Sequence, residues 1–413
     1  MQRPKGTIDI YGEYYKKLNY IKRIFDDLCD EYNIGYIETP IFESSEVFHR
    51  GVGEGTDIVT KETYDFKDRG DRDITLRPEG TAGIVRSVLE NKMYTTLPLK
   101  LCYFGKMYRY ERPQSGRLRE FYQAGVEIFG DNSPLMDVNA ISFMVKFYER
   151  IGLKGIKVKI NSIGKAEDRN NYMAALREYF KPYIDDLCED CKARYEKNTL
   201  RILDCKTDAD KDCIKNAPKI GEYLSEESKE YLNKVLDGLK SLGIEYVIDD
   251  TLVRGLDYYN DTVFEVVFNE SSALGGGGRY DTLTSTLGGP ELPAVGFAIG
   301  VNRVIQILDE EDIKVIDDGS IDAYILPVSE NENNYAIELM SSLRDNAFKV
   351  DMDFTGKKMP AKFKEADRYN AKFVIIIGED EVKSNKLTVR DNLTKEETKV
   401  ERDNLIDFLD VNI

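Results

Sequence analysis

Phe121-Tyr122-Gln123-Ala124-Gly125-Val126-Glu127 decides how the chain is read. Side chains two apart in a strand share a face, so Gln123, Gly125 and Glu127 line one side. The upstream run Leu99–Glu111 also reads as a strand, with Arg109 and Glu111 on a common face. Pro113-Gln114-Ser115-Gly116 lies between the two runs, and long strands joined by such a turn predict an antiparallel hairpin. A face of Arg, Glu, Gln, Gly and Glu is not a core face. It is either a solvated surface or a site, and Gly125 favours a site by removing a side chain where something else can approach.

Working outward, apolar residues at Leu18, Ile21, Phe25, Leu28 and Tyr32 alternate at three- and four-residue spacing, which predicts an amphipathic helix over 13–33. Strands are predicted at Ile34–Glu38, Ile74–Arg77, Thr262–Phe268 and Ala294–Ile299, with helices near Gly80–Glu90 and from Val301. Long antiparallel strands with few helices between them predict an α+β fold with flanking helices, not a doubly wound sheet. Between about 165 and 245 charged helical segments dominate, as in an insertion between two halves of one sheet. The acidic run 309–320 reads as a linker that closes a main domain over 1–308. Residues 321–413 alternate strand and helix, and Phe373-Val374-Ile375-Ile376-Ile377 is apolar throughout, like a buried parallel strand. This tail is expected to be a separate α/β domain.

Two or three domains suit 413 residues. No apolar run approaches the roughly 18 residues of a membrane span, and the start Met1-Gln2-Arg3-Pro4-Lys5-Gly6 lacks the apolar core of a signal peptide. A cytoplasmic protein with no membrane partner is expected. The net charge of −17 argues against nonspecific binding to DNA or membranes, while leaving room for local basic patches. His49 is the only histidine, and its place in Glu46-Val47-Phe48-His49-Arg50-Gly51 reads as the end of a short helix. Histidine-based acid–base chemistry therefore has one poor candidate. The chemistry is to be sought in Arg, Glu, Gln and Tyr.

Four more polar clusters stand out. Thr75-Leu76-Arg77-Pro78-Glu79-Gly80-Thr81 ends a strand and opens a helix, and reads as a ligand-facing corner or a plain N-cap by Thr81. Leu252–Asn260 sets Arg254, Asp257, Tyr258 and Tyr259 beside Gly255. Gly275-Gly276-Gly277-Gly278-Arg279-Tyr280-Asp281 is either a flexible loop or bare backbone for a ligand, and is not a P-loop because no Lys-Ser/Thr follows. Ala294–Arg303 is a buried strand that runs into a helix carrying Arg303 in its first turn. The cysteines are unevenly spread. Cys29 and Cys102 stand alone in apolar patterns, whereas Cys188-x₂-Cys191-x₁₃-Cys205-x₇-Cys213 is compatible with tetrahedral zinc or with reduced thiols in a small core. A disulfide is not expected in a cytoplasmic protein.

Together and in this order the clusters resemble the class II aminoacyl-tRNA synthetases, and Leu252–Asn260 with Ala273–Asp281 resemble the signature peptides of the histidyl-tRNA synthetases. Motif 1 resembles the Tyr36–Phe42 strand around Pro40, motif 2 resembles Tyr108–Arg112 through Phe121 to Glu127, and motif 3 resembles Gly296–Arg303. The resemblance covers nearly the whole chain. It implies activation of L-histidine with ATP and Mg²⁺, transfer to tRNA(His), a homodimer, and an α/β anticodon-binding domain at the C-terminus. It also implies roles. Arg109 would grip the α-phosphate, Glu111 and Arg117 would contact adenine and the outer phosphates, and Arg303 would clamp the γ-phosphate. Glu79, Gly80, Thr81 and Gln123 would hold the amino-acid head group. Glu127 and Tyr259, with Tyr258 nearby, would read the imidazole, and Arg254 would lie across the carboxylate and α-phosphate. Basic groups at Lys357, Lys358, Lys362, Lys364 and Arg368, and at Arg112, Arg117 and Arg119, would serve tRNA. The competing reading is an inactive paralogue that acts as a regulatory subunit of ATP phosphoribosyltransferase.

Overall fold

The computed structural model describes every residue except 54–55, 57, 112–116, 206, 270–271 and 316–319. Arg112, the Pro113–Gly116 turn and part of the 309–320 run therefore lie outside the described residues. The chain forms two compact units, Met1–Lys314 and Val315–Ile413.

The first unit is built on β1 (Gly35–Tyr36), β2 (Leu99–Tyr108), β3 (Glu120–Phe129), β4 (Ile156–Ser162), β5 (Tyr246–Ile248), β6 (Asn260–Phe268), β7 (Ser272–Arg279) and β8 (Ala294–Gly300). Their order is β1-β2-β3-β8-β7-β6-β4-β5. Only the outer pairs β1/β2 and β4/β5 are parallel; the centre is antiparallel. The α+β expectation holds, and β2/β3 is the predicted hairpin, with Tyr103 facing Gly125.

Strand alternation gives this sheet two unlike faces. On one, Phe104, paired with Ala124, meets helix α1 (Gly12–Glu31). Phe25 of α1 sets its ring against Phe104 and against Phe143 and Phe147 of α3 (Pro134–Arg150), at 5.6–6.1 Å between centroids. The other face carries Tyr103, Gln123, Gly125 and Glu127. The helix α2 (Thr81–Glu90) lends Ile84, Val85 and Val88 to the core on that side. The helices α4 (Ala166–Phe180), α5 (Glu189–Lys197) and α6 (Glu226–Ser241) fall between β4 and β5, and α7 (Val301–Glu310) follows β8.

Two expectations need correction. The Tyr36–Phe42 motif is not one strand. Strand β1 ends at Tyr36, with the Ile37 N–H still donating to the Cys102 carbonyl at 2.9 Å, and pairing resumes at Phe42–Ser44 in a separate three-stranded sheet, with Pro40, which has no N–H to donate, in the break. The glycine run is not a loop. It is β7, hydrogen-bonded on both sides, and its periodicity is invisible in sequence because it has no side chains.

The second unit is ordered β10-β9-β11-β12-β13, from β9 (Ala323–Pro327), β10 (Val350–Met352), β11 (Phe373–Ile377), β12 (Lys386–Asp391) and β13 (Glu397–Glu401). The apolar strand β11 pairs parallel with β9 but antiparallel with β12. Lys362 does not belong to a surface basic stretch. It is buried, with its ammonium 3.0 Å from Asp353 and donating to the Pro327 carbonyl at 2.6 Å. Lys357 is paired with Glu365, and Lys358 and Lys364 are exposed.

Arg279, at the end of β7, is also structural. Its side chain is 1% exposed and its partner Asp137 on α3 is 0% exposed, with Nη2 donating to Oδ1 at 2.5 Å and Nε at 3.1 Å. Removing one half of such a buried pair strands the other charge in a low-dielectric interior. Asp137→Ala is expected to lower the unfolding free energy of the first unit by about 3–5 kcal/mol. Denaturant titration checks this, and a loss under about 1 kcal/mol, the value of an exposed pair, would show that the pair does not pin the sheet to α3.

Candidate active site

A cavity of about 330 Å³ opens on the polar face of the sheet. Its floor follows from strand register. Glu127 of β3 lies directly across from Gly296 of β8. A Cβ on Gly296 would collide with the Glu127 carboxyl, so the missing side chain makes room for the acid. The Thr81 hydroxyl donates to Oε1 of Glu127 at 2.6 Å, and the Tyr280 hydroxyl donates to Oε2. Burial pushes this carboxyl up to about 8 against the pull of those two bonds, so it holds its proton at neutral pH.

Gly125 serves a protein ring. A Cβ there would come within 2.6 Å of Tyr103. The Tyr103 hydroxyl instead reaches Gln123 and donates to Oε1 at 2.9 Å, and the Gly80 N–H donates to the same oxygen at 3.2 Å. Glu79 caps α2: Oε2 accepts from the Thr81 N–H at 2.6 Å and Oε1 from the Ala82 N–H at 2.8 Å. Burial raises the Glu79 pKa, opposed by those backbone bonds and by Arg109. The helix end is thus met by Glu79 and not by Thr81, which is the first residue of α2 and turns its hydroxyl to Glu127 in the cavity.

Arg109 lies just past the end of β2. Its Nε donates to the Pro78 carbonyl at 2.8 Å, and its guanidinium sits 5.5 Å from the Phe121 ring centre. Glu111 stands between Arg109 at 4.0 Å and Arg117 at 3.1 Å. Arg254 donates to Glu265 on β6 at 3.0 Å and lies over the bare backbone of Gly276. The Tyr259 ring covers Gly278 in the same way. The glycine backbone thus receives protein side chains. Arg303 joins the lining from the first turn of α7.

The lining is graded by depth. Glu127, Tyr258, Tyr259 and Tyr280 are 1–8% exposed, whereas the Arg254, Arg109 and Arg117 side chains are 20%, 21% and 55% exposed. The three tyrosine rings pack at 4.6, 5.5 and 6.5 Å between centroids. A deep acid–phenol cluster suits a polar ring with N–H groups, and an outer rim of guanidinium groups suits phosphates. Tyr280, Tyr103 and Glu265 carry no role in the sequence reading. For Tyr280 no strand alternation points the way, because the ladder shifts register between Gly278 and Arg279 and the strand ends before it. His49 sits in the last turn of helix Ser45–Val52 and is not among the lining residues.

A second group of chemistry-bearing residues lies in the insertion. Cys188, Cys191, Cys205 and Asp208 bring their ligand atoms within 4.8 Å of one another. Cys213, the fourth thiol expected, is not part of that group, and Asp208 takes its place.

Comparison with known proteins follows the same outline. The family model for histidyl-tRNA synthetase matches residues 6–304, and that for the anticodon binding domain matches residues 322–412. A histidine–tRNA ligase of Bacillus licheniformis is 45% identical over 99% of this chain and 98% of its own length. One of Bacillus cytotoxicus is 46% identical over 98% and 97%. The crystal structure of apo S. aureus histidyl-tRNA synthetase has a TM-score of 0.84 at 39% identity, covering 99% of both chains. A Bacillus halodurans protein described as an ATP phosphoribosyltransferase regulatory subunit/histidyl-tRNA synthetase shares the fold at a TM-score of 0.66 and 24% identity, over 91% of this chain and 98% of that one.

The raised Glu127 pKa makes stability depend on pH. Below its ordinary value of 4.5 the carboxyl is protonated in folded and unfolded chains alike. As pH rises the unfolded carboxyl ionises first, so folding loses stability up to the folded value of about 8. A Glu127→Gln variant is spared this loss. Its melting temperature relative to the parent is expected to climb between about pH 5 and pH 9. Differential scanning calorimetry across that range checks it, and a flat difference would mean that burial does not shift Glu127.

Proposed function

The chain belongs to the histidyl-tRNA synthetase family, and from that membership we propose how its residues divide the work of an aminoacyl-tRNA ligase. The reaction has two steps. The carboxylate of L-histidine attacks the α-phosphorus of ATP, forming histidyl-adenylate and releasing pyrophosphate. A ribose hydroxyl at the 3′ end of tRNA(His) then attacks the activated carbonyl, and AMP leaves. The observation that carries the residue assignment is the deep Glu127 carboxyl, held by Thr81 and Tyr280 in a cavity rimmed by arginines.

Attack on the α-phosphorus builds charge on phosphate oxygens, and fixed guanidinium groups stabilise it. Arg109 grips the α-phosphate, held ready by the Pro78 carbonyl and the Phe121 ring. Arg254, set by Glu265, lies across the substrate carboxylate and the α-phosphate. Arg303 clamps the γ-phosphate, and Glu111 with Arg117 contacts adenine and the outer phosphates. The attacking carboxylate is already ionised at neutral pH, so the step needs no side-chain base. In the transfer step the adenylate phosphate takes the proton of the ribose hydroxyl.

Glu79, Gly80, Thr81 and Gln123 hold the amino-acid head group. The helix-capping bonds of Glu79 occupy two of its roughly four acceptor positions, which leaves capacity for the substrate ammonium. Glu127, Tyr258 and Tyr259 read the imidazole, and Tyr280 fixes Glu127. A carboxyl that holds a proton at neutral pH can share it with a neutral imidazole without adding net charge to the interior. An apolar competitor would leave these buried groups unpaired, which supports discrimination of ~10⁴–10⁵ without editing.

Magnesium travels with the ATP phosphates. Around the cavity Glu79 and Glu127 are buried in hydrogen bonds, while Glu111 and Glu265 are paired with arginines. That set suits an ion carried mainly by the nucleotide and its waters, and no step here is routed through it. The second unit binds the tRNA anticodon, with Lys358 and Lys364 available on its surface. Tyr36, Ile41 and Phe42 in motif 1 are each large, apolar and exposed, which supports a homodimer. No helix among the described residues is long and apolar enough to cross a membrane, in keeping with the cytoplasmic location proposed here. The intact arginine set and the anticodon unit argue against an inactive regulatory role.

Histidine-dependent ATP–pyrophosphate exchange tests the assignment: exchange with histidine alone is expected, and none from the folded protein would overturn it. Arg254→Ala is expected to slow exchange ~10²–10³-fold, as for loss of a group that stabilises transition-state charge. Undiminished exchange in that variant would remove Arg254 from catalysis. Tyr280→Phe is expected to raise the histidine KM about three- to tenfold, the worth of a hydrogen bond between neutral groups, and an unchanged KM would sever Tyr280 from imidazole recognition.

A further inference from the structure

We propose that Cys188, Cys191, Cys205 and Asp208 bind one zinc ion, and that this ion fastens the insertion against the loop carrying Arg254, Tyr258 and Tyr259. The site comprises two corners of equal spacing, Cys188-x₂-Cys191 and Cys205-x₂-Asp208. Counting thiols alone hides the second corner. The Cys188 and Cys205 sulfurs are 3.6 Å apart. Two sulfurs each 2.3 Å from a tetrahedral ion stand about 3.8 Å apart, whereas a disulfide needs about 2.05 Å. The Asp208 oxygen Oδ2 lies 3.8 Å from the Cys205 sulfur. All four ligand atoms fit within 4.8 Å, and Cys191, Cys205 and Asp208 are buried. Three sulfurs and one oxygen select zinc over magnesium or calcium, which take oxygen ligands.

The surroundings orient the ligands as metal sites require. The Asp208 N–H donates to the Cys205 sulfur at 3.4 Å, and the Cys188 N–H donates to Asp208 Oδ2 at 2.8 Å. The Lys211 ammonium sits 2.9 Å from Oδ1, offsetting charge where thiolates gather. Zinc binding would displace the thiol protons to solvent, up to three per ion.

The position of the clip gives it a purpose. The first corner forms the N-terminal turn of α5, and the second follows the turn Thr199–Ile202. Asn198 donates to Asp257 at 2.9 Å, and Arg201 donates to the Gly255 carbonyl and lies 3.5 Å from Asp257. Closing residues 188–208 on one ion therefore restrains the segment that grips 255–257, one residue from Arg254 and from Tyr258. This positioning role rests on the synthetase reading above; zinc binding itself does not.

The first test is metal content of the full chain, purified without chelators and measured by mass spectrometry. About one zinc per chain is expected, and absence of zinc with Cys188 and Cys205 oxidised to a disulfide, or with all six thiols free to titrate, would overturn the site. Cobalt in place of zinc is expected to give thiolate-to-cobalt charge-transfer bands and tetrahedral visible absorption, a readout that needs neither a variant nor activity. Asp208→Ala and Cys191→Ser are expected to lose the metal, whereas Cys213→Ser retains it. The reverse pattern would restore the four-thiol set and overturn the assignment of Asp208. For the positioning role, chelating the zinc is expected to raise hydrogen exchange across 252–260 and to lower kcat of pyrophosphate exchange, both restored by added zinc. Unchanged exchange protection after zinc removal would sever the clip from the active site while leaving the ion in place.

Discussion

A carboxyl group with almost no access to water sits at the centre of the first unit, and much of the unit is arranged to tolerate it. Glu127 belongs to an interior strand of the sheet, paired on both sides, and is 1% exposed. Its oxygens are met by hydroxyls from two distant segments, Thr81 at the mouth of α2 and Tyr280 beyond β7. The strand opposite yields space through Gly296. Burying a carboxyl is costly unless it is hydrogen-bonded or neutral, and here it is both. The same network therefore ties α2, β3 and β7 together and defines the pocket. The bonds that hold the sheet and α2 together also close the deep end of the cavity, while the arginine rim stays open.

Arginines divide into two kinds that look alike in sequence. Arg279 and Arg77 are sealed in the interior: Arg279 on Asp137, and Arg77 on the Thr39 and Lys106 carbonyls. Arg109, Arg254 and Arg303 are partly open and line the cavity. Sealed Arg279 follows Gly278 and open Arg254 precedes Gly255, so the neighbouring residue does not tell the two kinds apart. What separates them is whether the guanidinium is sealed among fixed acceptors or anchored with part of its surface left open to a ligand.

Periodicity carries the fold wherever side chains alternate between unlike environments. The helix α1 and the hairpin β2/β3 are legible for that reason, and so is the polar face bearing Gln123 and Glu127. The same rule fails for β7, whose Gly275–Gly278 offers nothing to alternate, and for the break at Pro40. Ile156-Lys157-Val158-Lys159-Ile160 is a legible strand signal outside the elements predicted from sequence. At the site, the polar types are legible but their bonding is not. Nothing local reveals that Tyr280 would meet Glu127 across 153 residues, or that Gly125 accommodates Tyr103. Asp208 escapes notice because thiol spacing directs attention to Cys213.

The strand of four glycines has one more consequence, for anyone who would redesign the pocket. At Gly275 through Gly278 an added methyl group would press on backbone, on Arg254, on Tyr259 or on the neighbouring strand. The floor is therefore closed to mutational search, and variants there would be lost to misfolding before their preference for another amino acid was ever read out. Tyr258 and Tyr259 line the cavity from outside the sheet, where their rings pack on each other and on Tyr280. A library aimed at this pocket therefore does better to leave the four glycines fixed.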